Sequence, residues 1–320
     1  MDTLLKVDDL HIGFSTKEGI FSAVEENSFS VKRGEILGIV GESGCGKSIT
    51  SLAIMGLLPK HAKIIKGEIV FGGKNIISLE KEERRKLRGK EMAMIFQEPM
   101  TSLNPVLRIG DQIIEGLILH TGISKKGAKE KALEMMTKVG LPRPNQIYDA
   151  YPHELSGGMR QRIMIAMALI CKPKLLIADE PTTALDVTIQ AQILRLMKRM
   201  NKEMETAMIF ISHDIGVISK MCHRVIVMYA GHIFEKISAE KIIKNGIHPY
   251  TKGLMECIPT PEKRGKSLYA IPGRVPSLSE RNKGCPFALR CPKAFKQCHN
   301  EKPNMKRVGE GHHVRCFLVQ

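Results

Sequence analysis

The sequence predicts an α/β protein with a small cysteine-rich C-terminal appendage. Three observations carry this. Short apolar runs alternate with turns and helix-like stretches over residues 1–96, and again over 156–250. Between them, over about residues 98–155, the pattern is mainly helical, broken at Gly122, Gly140, Pro142 and Pro144. After Glu256 the periodicity is lost, and seven of the 16 prolines fall between Pro259 and Pro303. The expected organisation is a main domain over 1–257 with a helical insert, and an appendage over 258–320.

The elements follow in order. Val70-Phe71-Gly72-Gly73-Lys74 marks a hairpin, hence an antiparallel part of the first stretch. Glu80 to Lys86 is a charge run that predicts a short exposed helix rather than a binding patch. The run from Ile163 to Cys171 suits a buried helix. A helix over Thr188–Met204 places Ile189, Ile193, Leu196, Met197, Met200 and Met204 on one face. Those methionines read as core packing.

The most specific stretch is Gly41-Glu42-Ser43-Gly44-Cys45-Gly46-Lys47-Ser48. It fits G-x-x-x-x-G-K-[ST]. A strand-like run, Ile36 to Val40, precedes it, and a helix start, Ile49 to Met55, follows. A glycine-rich turn in that position lets backbone N–H groups close around phosphate oxygens. Lys47 then reaches the β- and γ-phosphates of a nucleotide, and the Ser48 hydroxyl binds Mg²⁺. The expected ATP contacts are Gly41, Ser43, Gly44, Cys45, Gly46, Lys47, Ser48 and Ile49. The competing reading, a tight turn that happens to end in Gly-Lys-Ser, is weakened by the flanking strand and helix.

Two further segments extend the site. Leu175 to Ala178 is an apolar run ending in Asp179-Glu180. In such an enzyme the Asp completes the Mg²⁺ shell and the Glu polarises the attacking water. Leu155-Ser156-Gly157-Gly158-Met159-Arg160-Gln161 places Ser156 as a helix cap, with Gly157 and Gly158 exposing N–H groups to an anion. Here the chain resembles the ABC-type ATPases, whose signature is LSGGQ. Met159 stands where the usual Gln would be.

The resemblance implies further roles. Gln97 in Ile95-Phe96-Gln97-Glu98-Pro99 resembles the glutamine that contacts Mg²⁺ and water and couples to the membrane subunit. Ala184-Leu185-Asp186 resembles the loop that crosses to a partner ATPase, and His213 resembles the switch histidine at the γ-phosphate. The adenine-stacking aromatic is Phe14 or, second, Phe21. Gln97 to Pro105, His248-Pro249-Tyr250-Thr251, and the tail segments Gly284-Cys285-Pro286-Phe287 and Arg290-Cys291-Pro292 are similar to the ATP-binding subunits of oligopeptide and dipeptide permeases. The family implies a P-loop core with an antiparallel β-subdomain and a helical subdomain. It implies ATP hydrolysis that drives peptide import. One motif set per chain implies a dimer, with a sister ATPase in a heterodimer, on two transmembrane permease subunits supplied by an extracytoplasmic substrate-binding protein. Relatives with similar ATPases carry nickel or glutathione.

Composition bounds the rest. Apolar residues make up 43% and charged residues 26%, ordinary for a globular protein. Tryptophan is absent, so no aromatic platform for single-stranded nucleic acid is evident. No run of about 18 apolar residues exists to span a bilayer, and Met1 to Lys6 lacks a signal-peptide core. The expectation is a peripheral protein on the cytoplasmic face of the membrane. The formal net charge is +16. It admits a nucleic-acid partner, an anionic leaflet or a solvated surface. Residues 258–320 hold 13 Lys/Arg against 4 Asp/Glu, so +9 lies in the tail. A soluble ABC ATPase acting on nucleic acid is the first rival, opposed by the single cassette and the lack of a long coiled-coil insert. An ATPase of iron–sulfur assembly is the second, opposed by the tail. No nucleic-acid partner is expected.

Of the eight cysteines, Cys45, Cys171, Cys222 and Cys257 are scattered and read as ordinary thiols. Cys285, Cys291, Cys298 and Cys316 cluster in the core-poor tail. A reducing compartment argues against disulfides, and four thiolates there suggest a metal staple. The tight C-x2–4-C pairs of zinc sites are missing, while His299, His312 and His313 keep zinc open. Thiolates also suit an iron–sulfur cluster. The spacing resembles the four-cysteine tail of some dipeptide-permease ATPases, which implies a [4Fe-4S] cluster. The cluster ranks first, zinc second and free thiols third.

Overall fold

The structure, a computed structural model, describes residues 2–17, 19–96, 102–183, 185–259, 263–265, 267, 269–281 and 283–319. Two compact units emerge. The first contains residues 32–35 and 78–209, and the second contains 3–31, 36–77 and 210–320. The strands, in chain order, are β1 (Thr3–Thr16), β2 (Gly19–Lys32), β3 (Ile36–Val40), β4 (Ala62–Phe71), β5 (Lys74–Asn75), β6 (Met92–Ile95), β7 (Leu175–Asp179), β8 (Ala207–Ser212), β9 (Arg224–Tyr229), β10 (His232–Ser238), β11 (Met305–Gly309) and β12 (His312–Arg315).

The second unit holds two sheet portions. One is a four-stranded sheet in the order β2-β1-β4-β5. Its β1–β4 ladder is antiparallel, with Val7 opposite Ile69, and slips between Asp8 and His11. Leu5, Val7, Leu10, Ile12, Val24, Val31 and Ile69 are buried, as alternation on a half-buried strand requires. The Gly72-Gly73 turn closes the expected hairpin, with positive φ at both glycines. The other portion runs β11-β12-β10-β9-β3. There β3 lies parallel to β9, with Val40 opposite Val227, and β10 pairs antiparallel with β9 and β12. Strand β3 is buried along its whole length, which suits a parallel strand covered on both faces. Asn27 is fully buried and stitches β2 to the β9–β10 turn: its amide donates to the Gly231 carbonyl, and its oxygen accepts from the Ile233 N–H.

The first unit is mainly helical, with β6 parallel to β7. Helices Ile109–Thr121, Lys125–Lys138, Pro144–Asp149 and Gly157–Leu169 pack together. They bury Ile113, Ile114, Leu117, Ala132, Met136, Ile163 and Ile165. Gly110 meets the Tyr148 ring so closely that a Cβ would fall 2.3 Å from it. The charge run forms helix Lys81–Leu87, which buries no residue and is closed by a Glu80/Glu83 capping box. Helix Val187–Met204 buries Ile193, Leu196, Met197 and Met200 as the periodicity requires.

Two expectations needed adjustment. Helix was expected from about residue 98, but the first long helix after β6 among the described residues begins at Ile109. Asn104 and Gln112 explain the delay: the Gln112 amide donates to the carbonyls of Asn104 and Leu107 and holds that segment as a loop. The tail is also less irregular than its composition suggested. Strands β11 and β12 form a hairpin whose inner strand pairs with β10. No helix among the described residues is long and apolar enough to cross a membrane.

Candidate functional site

The phosphate loop belongs to the second unit, between β3 and helix Lys47–Met55. Gly41 is there for space. A Cβ on it would lie 2.2 Å from the Met228 carbonyl oxygen and 2.7 Å from Cys45 Sγ. Gly44 and Gly46 are there for conformation, with φ of +75° and +102°. Gly46 caps the helix with no side chain over its first N–H groups, which leaves the partial positive charge of the helix end open to an anion. Ser43, Gly44 and Ser48 are exposed on the loop, and Ile49 is half-buried. Cys45 is fully buried, and that burial pushes its thiol pKa up. Only its backbone can serve a phosphate. Lys47 is 5% exposed, and its ammonium donates to the carbonyls of Gly41 (2.7 Å) and Glu42 (3.0 Å). The loop is thus curled around its own lysine. The glycine cradle and the Ser48 hydroxyl suit Mg-ATP.

In the same unit, His213 directly follows β8 and is exposed. Asp214 caps the next helix, accepting from the N–H groups of Gly216 and Val217. Phe14 is half-buried, with its ring 5.3 Å from that of His61, and Phe21 is half-buried on β2.

The first unit carries the acidic and signature segments. Asp179 ends β7 and is 4% exposed. Glu180 follows at φ +48°, in the left-handed region that a glutamate seldom adopts. Its carboxylate accepts from Thr183 Oγ1 at 3.1 Å, and its carbonyl accepts from the Thr183 N–H. A strained acid at a strand end, held from its own turn, is the pattern of a functional position. Ser156 caps helix Gly157–Leu169 by accepting from the Met159 N–H, as its sequence position suggested. Gly157 is exposed, and Gly158 lies where a Cβ would meet Ile189 at 3.0 Å. Asp186 caps helix Val187–Met204 through the Ile189 N–H. Gln97 and Ala184 lie outside the described residues.

The four tail cysteines, all free thiols, line one cavity of about 20 Å³ in the second unit. The Cys285 N–H donates to the Cys298 carbonyl at 2.7 Å. Gly284 permits that approach, since a Cβ there would sit 2.5 Å from the same carbonyl oxygen. Burial, together with the neighbouring thiols, pushes the Cys285 pKa up to about 12. Burial also raises Cys291 and Cys316. Among the described residues, no three His, Cys, Asp or Glu side chains are set to hold a single metal ion. His299, His312 and His313 do not line the cavity, and His312 is engaged by Glu235 at 2.7 Å.

Comparison with known proteins decides the family. A model described as "ABC transporter" matches residues 24–183, and one described as "Oligopeptide/dipeptide transporter, C-terminal region" matches 234–298. A probable peptide ABC transporter ATP-binding protein of Sinorhizobium fredii is 51% identical over 99% of this chain and 95% of its own. The chain belongs to the ATP-binding proteins of the oligopeptide/dipeptide ABC transporters. The oligopeptide transport ATP-binding protein OppD of Salmonella typhimurium is 47% identical over 99% of this chain and 94% of its own. Among solved structures, a dimeric ATP-binding cassette in a post-hydrolysis state with ADP and Pi matches with a TM-score of 0.66 and 28% identity. That match covers 73% of this chain and 98% of the cassette. The fold is therefore that of the ABC ATPases, and the chain is an ATPase of that family.

Sequence reasoning missed one set of residues around the loop. Arg290 and Tyr250 contact Glu42 from far along the chain; the sequence marked their segments as family-like but gave no sign of that pairing.

Proposed function

We propose that this chain hydrolyses ATP to power the import of di- and oligopeptides through separate membrane subunits. The observation that carries the reading is the glycine cradle that ends in Lys47 and Ser48. The uncapped N–H groups of the helix start support a polyphosphate site, with Lys47 beside them, in a chain whose relatives are peptide-transport ATPases. In the proposed cycle Lys47 leaves its loop carbonyls for the β- and γ-phosphates. Ser48, Asp179 and Gln97 would hold Mg²⁺, which would neutralise charge on the phosphates. Glu180 orients and deprotonates the attacking water, and His213 steadies the γ-phosphate. Phe14 stacks on adenine, with Phe21 as the substitute. Ser156, Gly157, Gly158 and Asp186 serve the nucleotide of a neighbouring ATPase. The working assembly is a heterodimer with a sister ATPase on the cytoplasmic face, under two permease subunits fed by a substrate-binding protein.

The tail, residues 258–320, is the proposed second module beside an ATPase module over 1–257. Cys285, Cys291, Cys298 and Cys316 are proposed to hold one [4Fe-4S] cluster. One observation supports a shared site: the four thiols line one cavity. A cluster takes its thiolates on separate irons. When bound it staples a segment that has little core of its own.

Co-expression with two permease subunits, a sister ATPase and a peptide-binding protein tests the transport reading. Peptide-stimulated hydrolysis in proteoliposomes is expected. Hydrolysis without any response to peptide, but with a response to nickel or glutathione, would replace the substrate.

A further inference from the structure

We propose that Arg290 is a positioning residue for the nucleotide loop: from within the cysteine segment it neutralises Glu42 and holds it away from the bound phosphates. The inference rests on the ATP-binding reading of that loop. A carboxylate inside an anion-binding loop is an electrostatic liability, because like charges a few ångströms apart repel even near a protein surface, and Glu42 is only partly exposed. Glu42 is the second residue of this loop and its only acid. Its carboxylate is engaged on both oxygens: Arg290 NH1 donates to Oε1 at 3.0 Å and to Oε2 at 3.1 Å.

Arg290 is itself held on every side. It is 8% exposed. Nε donates to the Pro272 carbonyl at 2.7 Å, NH2 to the Ile271 carbonyl at 3.2 Å, and NH1 also to Tyr229 Oη at 3.2 Å. The guanidinium carbon lies 5.6 Å from the centre of the Tyr229 ring. A planar group fixed by several donors of its own is pre-organised for a carboxylate. The Glu42 backbone is pinned as well, since its N–H donates to the hydroxyl of fully buried Tyr250 at 2.9 Å. Its carbonyl accepts from Lys47. One run of contacts therefore leads from Arg290 through Glu42 to the lysine that must meet the phosphates.

The placement of Arg290 gives the contact a second meaning. It sits in the turn Ala288–Arg290, between Cys285 and Cys291. That turn is closed by the Ala288 N–H on the Cys285 carbonyl and the Arg290 N–H on the Phe287 carbonyl. Phe287 packs its ring 5.2 Å from Tyr229 and 5.3 Å from Tyr250. The short turn that lines the cysteine cavity at Ala288 thus also carries Arg290, which reaches the phosphate loop. Disorder in that turn would release the Glu42 carboxylate into the loop.

The test is a charge-rescue series on the full chain, read by ATP titration and by KM and kcat for ATP. Arg290→Gln should raise the ATP dissociation constant and KM about tenfold or more, with kcat changed far less. Arg290→Gln combined with Glu42→Gln should recover most of that loss, because the repelling charge is gone. Glu42→Gln alone should bind ATP at least as tightly as wild type. A merely structural Arg290 would lose affinity with no rescue by Glu42→Gln, and that result overturns the proposal. So does Arg290→Gln binding ATP like wild type. Should Arg290→Gln fold poorly, Glu42→Gln with Arg290 intact carries the test: a tenfold or larger loss of ATP affinity in that variant would show that the Glu42 charge is needed rather than restrained, and also overturns the proposal. Wild-type protein is titrated alongside. If it fails to bind ATP, the ATPase reading itself fails, an outcome distinct from failure of the Arg290 arm.

Discussion

Gly41→Ala should disable the nucleotide loop by lack of space rather than by backbone strain. Its Cβ would fall 2.2 Å from the Met228 carbonyl oxygen, whereas ordinary contact begins near 3.4 Å. Something must move by more than about 1 Å. Met228 lies on β9, which is laddered to β3 on one side and β10 on the other, so the loop is the part that yields. Overpacking of this kind costs about 1–3 kcal/mol. A displacement of about 1 Å at a reacting centre can cost about 10²-fold in rate. Gly44→Ala is the control. Its φ is +75°, but no atom lies within 4 Å of the Cβ position, so only the left-handed penalty of about 1–2 kcal/mol applies. Thermal unfolding and steady-state ATP turnover read both effects. Gly41→Ala should lose a few degrees of melting temperature and about 100-fold or more in turnover. Gly44→Ala should lose a similar increment of stability with much more turnover retained. Full turnover in Gly41→Ala would refute the steric argument, because it would show that the loop tolerates the displacement.

Four further outcomes are expected. Lys47→Ala should abolish ATP binding or turnover while circular dichroism reports an intact fold; undiminished hydrolysis would remove the phosphate-loop assignment. Glu180→Gln should bind ATP and slow hydrolysis by about 10²–10⁴-fold, trapping an ATP-bound dimer visible by size exclusion; wild-type turnover would move the general-base role to His213. Anaerobically purified protein should be brown with about four irons per chain, and Cys→Ser at any of the four tail cysteines should bleach it and expose residues 258–320 to proteolysis; colourless protein with one zinc per chain would replace the cluster. Burial holds His232 at about 3 against an ordinary 6.5, with Lys302, Arg315 and Arg281 outweighing part of the pull of Glu25. The unfolded chain therefore takes up that proton first, so the stability His232 confers is full above 6.5 and drains as pH falls toward 3. Urea midpoints of His232→Gln should fall less steeply across that window than those of wild type, and parallel curves would show that another group governs the acid limb.

What the sequence made legible was local. The phosphate loop, the Ser156 cap and the Asp179-Glu180 strand end each complete their geometry within a few residues, so residue type and spacing suffice. The Glu80–Lys86 charge run formed an exposed helix for the same reason: its Glu80/Glu83 box is a local device. The strain at Glu180 was not legible, because a left-handed glutamate has no signature in residue type. The β11–β12 hairpin was hidden by its brevity and by the exposed Lys306 and Arg307, which read as solvated charge. The contacts of Arg290 and Tyr250 with Glu42 link residues more than 200 positions apart (|i−j| 248 and 208), and one chain read alone cannot pair them.

The basic tail shows how such distant pairing changes the meaning of a composition. Taken as a number, +9 over the last 63 residues invites a polyanionic partner. In the folded second unit several of those cations face inward. Arg290 grips Glu42, Lys302 is bonded to Glu25, and Arg315 donates to Glu26 at 2.7 Å. Arg281 donates to the carbonyls of Ser22 and Ala23. Each reaches a group on β2 or the phosphate loop. Arg290 and Arg315 are buried, where a charge-assisted bond is strong and an abandoned partner is costly. A segment with little apolar core is thereby fastened to the nucleotide-binding unit through its charge. The same residues that make the tail look like a ligand for something else attach it to its own loop, and this is why a charge change at Arg290 should be read in ATP affinity.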